Sequence, residues 1–319
     1  MNKRTLILSL LVALVWLNGC QKKSPAGNAI SIANASRHLP EVEQANVERI
    51  TGPNAPDAAE IITKYNSRDI GSAGWRRVSM ELLTDGALTR AFTVFNIWRT
   101  DENRVRTLFL LEEPEGLSGT AYLLQELNKS APEMQVHLFL PAGDRRVLEV
   151  DPSNFDQGLL GSDFTYNDVR MRLPMQGYRY RLEGKATLQK TPAWVLEAEP
   201  SSDVTRQSSL WKRARFYLAC DFQFLLGADY SSASENGQAP PRFLKQMRVQ
   251  NFEQRNGFWT ATRMFMFSSD RRSTALTLLD ARFGVTSIDS SLFEIDQLPF
   301  LADKIKHMRQ PENQRPAGQ

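Results

Sequence analysis

Beyond residue 70, apolar and polar side chains alternate with a period of two along most of the chain, which is the pattern of β-strands. In EMQVHLFLPA, Met134, Val136, Leu138 and Leu140 point one way and Gln135 and His137 the other. WRRVSMELLT and ALTRAFTVFNIW are joined by Asp85-Gly86, and FLKQMRVQNFEQR and FWTATRMFMFS by Asn256-Gly257. Both dipeptides suit two-residue hairpin turns, which need positive φ at their central residues. RVRTLFLLE, GTAYLLQEL, RRVLEV, YRYRLEGKATL, AWVLEAEP and ARFYLACDFQFLLGADYS bring the total to about a dozen strands. In YRYR, residues 178–181, tyrosines take one face and arginines the other. Helical spacing is clear in DAAEIITKYNS, 57–67, where Ala58, Ile61, Ile62 and Tyr65 form an apolar stripe behind an acidic start. VEQANVERI, 42–50, and FLADKIKHMRQ, 300–310, are candidates for further short helices.

An antiparallel sheet of more than about ten strands curls or splits. The expected fold is mainly β with a few helices, an α+β chain whose curved, barrel-like sheet is closed by a helix in its mouth. A second β-domain from near residue 180 is the alternative, although no Pro/Gly-rich linker separates the halves. SSASENGQAPP, 231–241, reads as a long hairpin loop.

The N-terminus breaks the alternation. Lys3 and Arg4 precede an apolar run from Leu6 to Leu17, too short to span a bilayer as a helix and suited to a signal-peptide h-region. Leu17-Asn18-Gly19-Cys20 resembles the bacterial lipobox, whose cysteine is acylated and becomes the mature N-terminus. Gln21 in place of Asp resembles the signal for release to the outer membrane, so the expected location is lipid-anchored there, facing the periplasm. The polar stretch that follows, with Pro25, Gly27, Pro40, Gly52 and Pro53, reads as a tether of the order of 30 Å. The expected organisation is signal peptide 1–19, lipidated Cys20 and tether 20–54, folded domain 55–297 and C-terminal helix or tail 298–319.

Composition narrows the chemistry. With 41% hydrophobic and 24% charged residues the chain is of ordinary globular type. Its formal charge of +3 falls to 3 − 2 = +1 once Lys3 and Arg4 are removed, which argues against nucleic acid as a partner. His38, His137 and His307 are too scattered for a zinc site. If Cys20 carries lipid, Cys220 in FYLACDF has no disulfide partner and reads as a buried, inert thiol. GLSGT lacks the nucleophile-elbow spacing, and GLLGSD is neither a P-loop nor a dinucleotide fingerprint, so no metal and no cofactor is expected. One enzymatic option remains, a carboxylate pair Asp163 and Asp168 with Asp151 or Asp156 nearby. Against it, aspartates in loops commonly bond their own backbone.

HLFLPAGDRRVLEV followed by FDQGLLGSDFTYNDV resembles the LolA-like outer membrane lipoprotein-sorting protein family, of the TP-0789 type. The resemblance rests on Leu140-Pro141-Ala142, the basic pair Arg145-Arg146, and Gly161-Ser162-Asp163-Phe164-Thr165-Tyr166-Asn167-Asp168, with Pro114, Gly119, Thr120 and Leu123 upstream. It spans roughly residues 55 to 297. Asn167 stands where relatives often carry an acid, the 231–241 insertion is long, and no position matches the cavity arginine of LolA or the protruding apolar loop of LolB. The resemblance implies an unclosed, strongly curved antiparallel barrel with helices plugging a hydrophobic cavity, and no catalytic residues. The GSDFTYND block then reads as a structural loop, its aromatics packed on the barrel and its aspartates bonding backbone.

Three functions are expected to compete. The first is a non-enzymatic carrier or acceptor of lipoprotein acyl chains or another lipid, with Phe109, Val136, Leu138, Leu140, Met264 and Met266 as cavity candidates, against the competing reading that each fills a dry core. The second is a ligand-free adaptor docking to an envelope transporter. The third is a hydrolase using Asp163 and Asp168.

Overall fold

Both two-residue turns form: Asp85 and Gly86 have φ of 51° and 76°, Asn256 and Gly257 of 52° and 87°. This is the paired left-handed conformation whose twist matches flanking antiparallel strands. The structure, a computed structural model, describes residues 45–50, 55–101, 104–127, 133–142, 145–202, 209–232 and 242–306. The chain divides into Met1–Leu39, which lies outside the described residues, and Pro40–Gln319. The expected signal peptide, Cys20 and most of the tether therefore also lie outside the described residues, as do His38, His307 and most of the 231–241 loop.

The strands are β1 (Glu48–Arg49), β2 (Ala73–Thr84), β3 (Ala87–Thr100), β4 (Arg104–Glu113), β5 (Ala121–Leu127), β6 (Glu133–Phe139), β7 (Val147–Glu149), β8 (Tyr178–Leu188), β9 (Thr191–Pro200), β10 (Arg213–Ala219), β11 (Leu225–Ser231), β12 (Phe243–Arg255), β13 (Phe258–Ser268) and β14 (Arg272–Phe283). All fourteen strands of the described residues belong to one sheet, in the order β1-β8-β9-β10-β11-β12-β13-β14-β2-β3-β4-β5-β6-β7. Every pairing is antiparallel and the two ends do not meet, so the sheet is unclosed. A separate second β-domain is ruled out: β14 pairs with β2 from Arg272↔Thr84 to Phe283↔Gly74 and stitches the halves together.

Successive residues divide between two buried faces. Phe109, Leu111, Tyr122 and Leu124 join one apolar cluster, while Leu108, Leu110, Ala121 and Leu123 between them join another. We call the first face inner. Helix α1 (Ala58–Asn66) packs on it through the predicted stripe of Ala58, Ile61, Ile62 and Tyr65, capped by Asp57, whose carboxylate accepts from the Ala59 N–H. The outer face of the β2–β6 half is covered by residues 285–305, irregular 3-10 turns ending in the short helix α2 (Leu301–Lys304). Ile288, Leu292, Phe293, Leu298, Leu301 and Ile305 are all buried there against Trp75, Phe95 and Ile97.

Two local expectations change, and one face of β6 is filled in. Residues 45–50 form no helix: they are extended, and Glu48 and Arg49 pair with Lys185 and Gly184 of β8. The unsatisfied edge of β8 offers ladder hydrogen bonds that an isolated nine-residue helix cannot match. The face carrying His137 is not solvated, since His137 is buried and Phe139 enters the outer cluster. The packed core also continues through Ile305, so residues 298–305 are built into the fold.

Candidate functional site

Residues 158–169 cross the inner face as an irregular loop. Its tight start depends on backbone conformation: Leu160 and Gly161 have φ of 57° and 76°, and a Cβ on Gly158 would lie 1.9 Å from the Ser162 carbonyl oxygen. Leu159 N–H donates to the Phe164 carbonyl at 2.7 Å, and Phe164 N–H to Ser162 Oγ at 3.2 Å. Beyond that knot the side chains alternate. Phe164 enters the cluster of Ile62, Leu196, Phe216 and Met266; Tyr166 enters that of Phe109, Tyr122, Val136 and Phe155. Tyr166 lies 6.1 Å from both the Tyr122 and Phe155 rings, and burial pushes its phenol up to about 12.

The two aspartates clip this loop to the sheet. Asp163, with a nearly inaccessible carboxylate, accepts from Ser268 Oγ of β13 at 2.7 Å and from Thr274 Oγ1 of β14 at 2.8 Å. Its N–H donates to the same Thr274 hydroxyl at 3.0 Å. Asp168 accepts from the Thr165 N–H at 2.7 Å and hydroxyl at 2.8 Å, and forms an ion pair with Lys245 of β12. Tyr230 of β11 joins this group: burial first, then the charge and hydrogen bond of Asp168, raise its phenol well above the usual value. The aspartates thus reach strand side chains, not backbone alone as the sequence suggested. Further on, Met171 N–H donates to Glu126 Oε1 at 2.8 Å. Leu173 exchanges two 2.9 Å hydrogen bonds with the Asn66 amide at the end of α1. Both carboxylates are buried and occupied by donors on different strands, an arrangement that fixes the loop to the sheet.

The cavity candidates fall in two places. Phe109 and Val136 are buried beside Tyr166, with Leu138 packed against them; Met266 is buried beside Phe164, with Met264 partly buried next to it. Val169 and Leu276 pack against both clusters, so these patches are one continuous apolar face. Leu140 lies beyond the end of β6 and is half-buried. Pro141 follows beside Gly119, whose added Cβ would sit 3.7 Å from it, and Ala142 is exposed. Arg145, with φ of 54°, and Arg146 are exposed just before β7, with the Arg145 guanidinium 5.8 Å from the Phe139 ring centre. The basic pair therefore marks the sheet edge and the loop marks its inner face.

Sequence reasoning missed a pocket of about 180 Å³ between α1 and strands β9 and β10, lined by Ile61, Tyr65, Trp194, Leu218 and Cys220. Cys220 is half-buried just past β10, and burial pushes its thiol up. Its lining residues lie far apart in sequence, and no local pattern signals their meeting. Among the described residues no group of three or more His, Cys, Asp or Glu side chains could hold a metal.

A family model described as "-like: Uncharacterized protein" matches residues 103–299, well over half of the chain. No curated protein matches. Three solved structures share the fold. An outer membrane lipoprotein-sorting protein domain from Vibrio parahaemolyticus is 22% identical with a TM-score of 0.65, covering 76% of this chain and 98% of its own. A DUF1329 family protein from Desulfovibrio piger is 18% identical with a TM-score of 0.65, covering 76% and 97%. A LolA superfamily protein from Nitrosomonas europaea is 17% identical with a TM-score of 0.55, covering 76% and 99%. The chain belongs to the family whose model spans residues 103–299, and its single unclosed sheet is the LolA-like fold of outer membrane lipoprotein-sorting protein domains.

Proposed function

We propose that the protein is a non-enzymatic binder of an acyl-type hydrophobic ligand, a lipid or an acylated protein, taken up on the inner face of the sheet. The observation that carries this reading is the mismatch between the face and its cover. The face is apolar from Tyr180 and Leu196 on one side to Val136 on the other, yet α1 and the 158–169 loop cover it without joining any strand ladder. Such a cover opens without breaking the sheet. An acyl chain replacing Phe164 and Tyr166 regains about 25 cal/mol for each Å² of apolar surface it buries. The pocket beside Ile61 and Trp194 already leaves space between α1 and the sheet.

In this reading α1 and the loop are the plug of a LolA-like cavity. Cys20 carries the lipid that holds the protein at the outer membrane, and ligand passes to or from an envelope partner on the periplasmic side. The test uses the full-length chain with Cys20→Ser, so that no acyl group of its own is attached, recovered from the cell envelope. Native mass spectrometry followed by organic extraction should find a stoichiometric lipid, and Val136→Asp or Met266→Asp should lose it. A clean protein mass with no uptake of added palmitate would defeat the reading and favour an adaptor that docks to an envelope transporter through its surface.

A further inference from the structure

The outer face of the β8–β10 half carries charge where the inner face carries aromatics. Arg181 alternates with Tyr180 and Leu182 on β8, and Arg213 and Arg215 alternate with Ala214 and Phe216 on β10. These arginines therefore project away from the ligand face proposed above. On the strand between them Glu197 pairs with Arg181 at 2.8 Å and with Arg213. Glu183, the extra residue of a bulge in β8, takes a bidentate fork from Arg215 at 2.6 and 2.7 Å. Arg49, brought alongside by the pairing of β1 with Gly184, has no ion pair among the described residues.

Together these groups surround a hollow of about 430 Å³ lined by Arg49, Ile50, Arg181, Leu182, Glu183, Arg213 and Arg215. Four guanidinium groups stand against two carboxylates, an excess of 4 − 2 = +2. The Nε of Arg213 is buried and has no acceptor. Burial first, and then the charge of Arg215, lower its pKa, while Glu183 acts the other way. Converging guanidinium groups with unused N–H donors are the chemistry that recognises tetrahedral oxyanions.

We propose that this hollow binds a phosphate-type anion between Arg49, Arg181 and Arg213. The anion accepts from the unused N–H groups and cancels the local excess of charge. It lies on the face opposite the apolar one, so it does not depend on the acyl-binding reading.

Calorimetric titration of the full-length protein at low ionic strength with pyrophosphate and with glycerol 3-phosphate tests this. Binding of either anion is expected, weakened about tenfold for each guanidinium lost, in Arg49→Gln and Arg181→Gln. Both side chains are exposed, so melting temperature should hold. Arg271→Gln, on the exposed β13–β14 turn, should leave affinity unchanged. Vesicle flotation separates the sources. Greater retention on phosphatidylglycerol than on phosphatidylcholine, lost in the two variants, identifies a lipid headgroup. Anion binding with no difference between vesicles identifies a soluble phosphate. No binding of either anion with no vesicle preference, or equal weakening by Arg271→Gln, would overturn the site and leave a surface ion-pair network.

Discussion

Lys245 and Asp168 face each other as an ion pair with side chains only 9% and 4% exposed, where the loop meets β12. A buried pair adds little net stability over an apolar one, but removing a single partner strands the other charge. Lys245→Met should therefore cost about 3–5 kcal/mol in urea unfolding. The double variant Lys245→Met with Asp168→Asn should recover part of that loss, because the amide oxygen still accepts from Thr165.

Asp163 is the other clip. Asp163→Ala removes an acceptor shared by Ser268 and Thr274, at about 1.5–3 kcal/mol for each charged hydrogen bond. Hydrogen exchange should quicken across residues 158–169 while amides of the β2–β4 meander keep their protection. Equal loss of protection throughout the sheet would show that the loop is not a separable cover.

Gly184 is required by the close approach of β1, because a Cβ there would lie 2.1 Å from the Glu48 carbonyl oxygen. Gly184→Ala should release residues 45–50 to limited proteolysis while the rest of the sheet keeps its circular dichroism. It should also lower anion affinity, since Arg49 is held in place by that pairing.

Burial raises the phenols of Tyr122, Tyr166, Tyr180, Tyr217 and Tyr230. An acid whose pKa is higher in the folded state adds stability that is complete below the unfolded value, about 10 for tyrosine, and is lost as pH rises through the folded one. Tyrosinate absorbance and loss of ellipticity should therefore appear together above about pH 10. Ionisation that runs well ahead of unfolding would contradict the burial.

Cys220 reports on the pocket under α1. Its raised pKa means a smaller thiolate fraction than a free cysteine, so alkylation near pH 8.5 should be slower than for a free thiol at about the same pH. Ile61→Ala, which enlarges the pocket, should speed it.

What could be read in advance was local chemistry. The Asp85-Gly86 and Asn256-Gly257 turns and the stripe of α1 are set by neighbours in sequence. Three features depended on distant partners. Glu48-Arg49 has no strand signature of its own and pairs where β8 has a free edge. The cover at residues 285–305 buries Phe293 and Leu298 through 3-10 turns that have no long period to detect. Asp163 and Asp168 stood out as a cluster, but Ser268, Thr274 and Lys245 lie 77 to 111 residues away and could not be paired with them from the sequence.

The seam between β14 and β2 fixes an order of assembly. Arg272 must find Thr84 and Phe283 must find Gly74, so the β2–β7 meander can form early but has no partner along β2 until nearly the whole chain has been made. Until then Trp75, Phe95 and Ile97 also lack the Phe293 and Leu301 that later cover them. Pairings this remote in sequence make folding slow. A nascent or truncated chain ending before residue 272 therefore displays an open strand edge beside an uncovered apolar surface, the combination that recruits chaperones or aggregates.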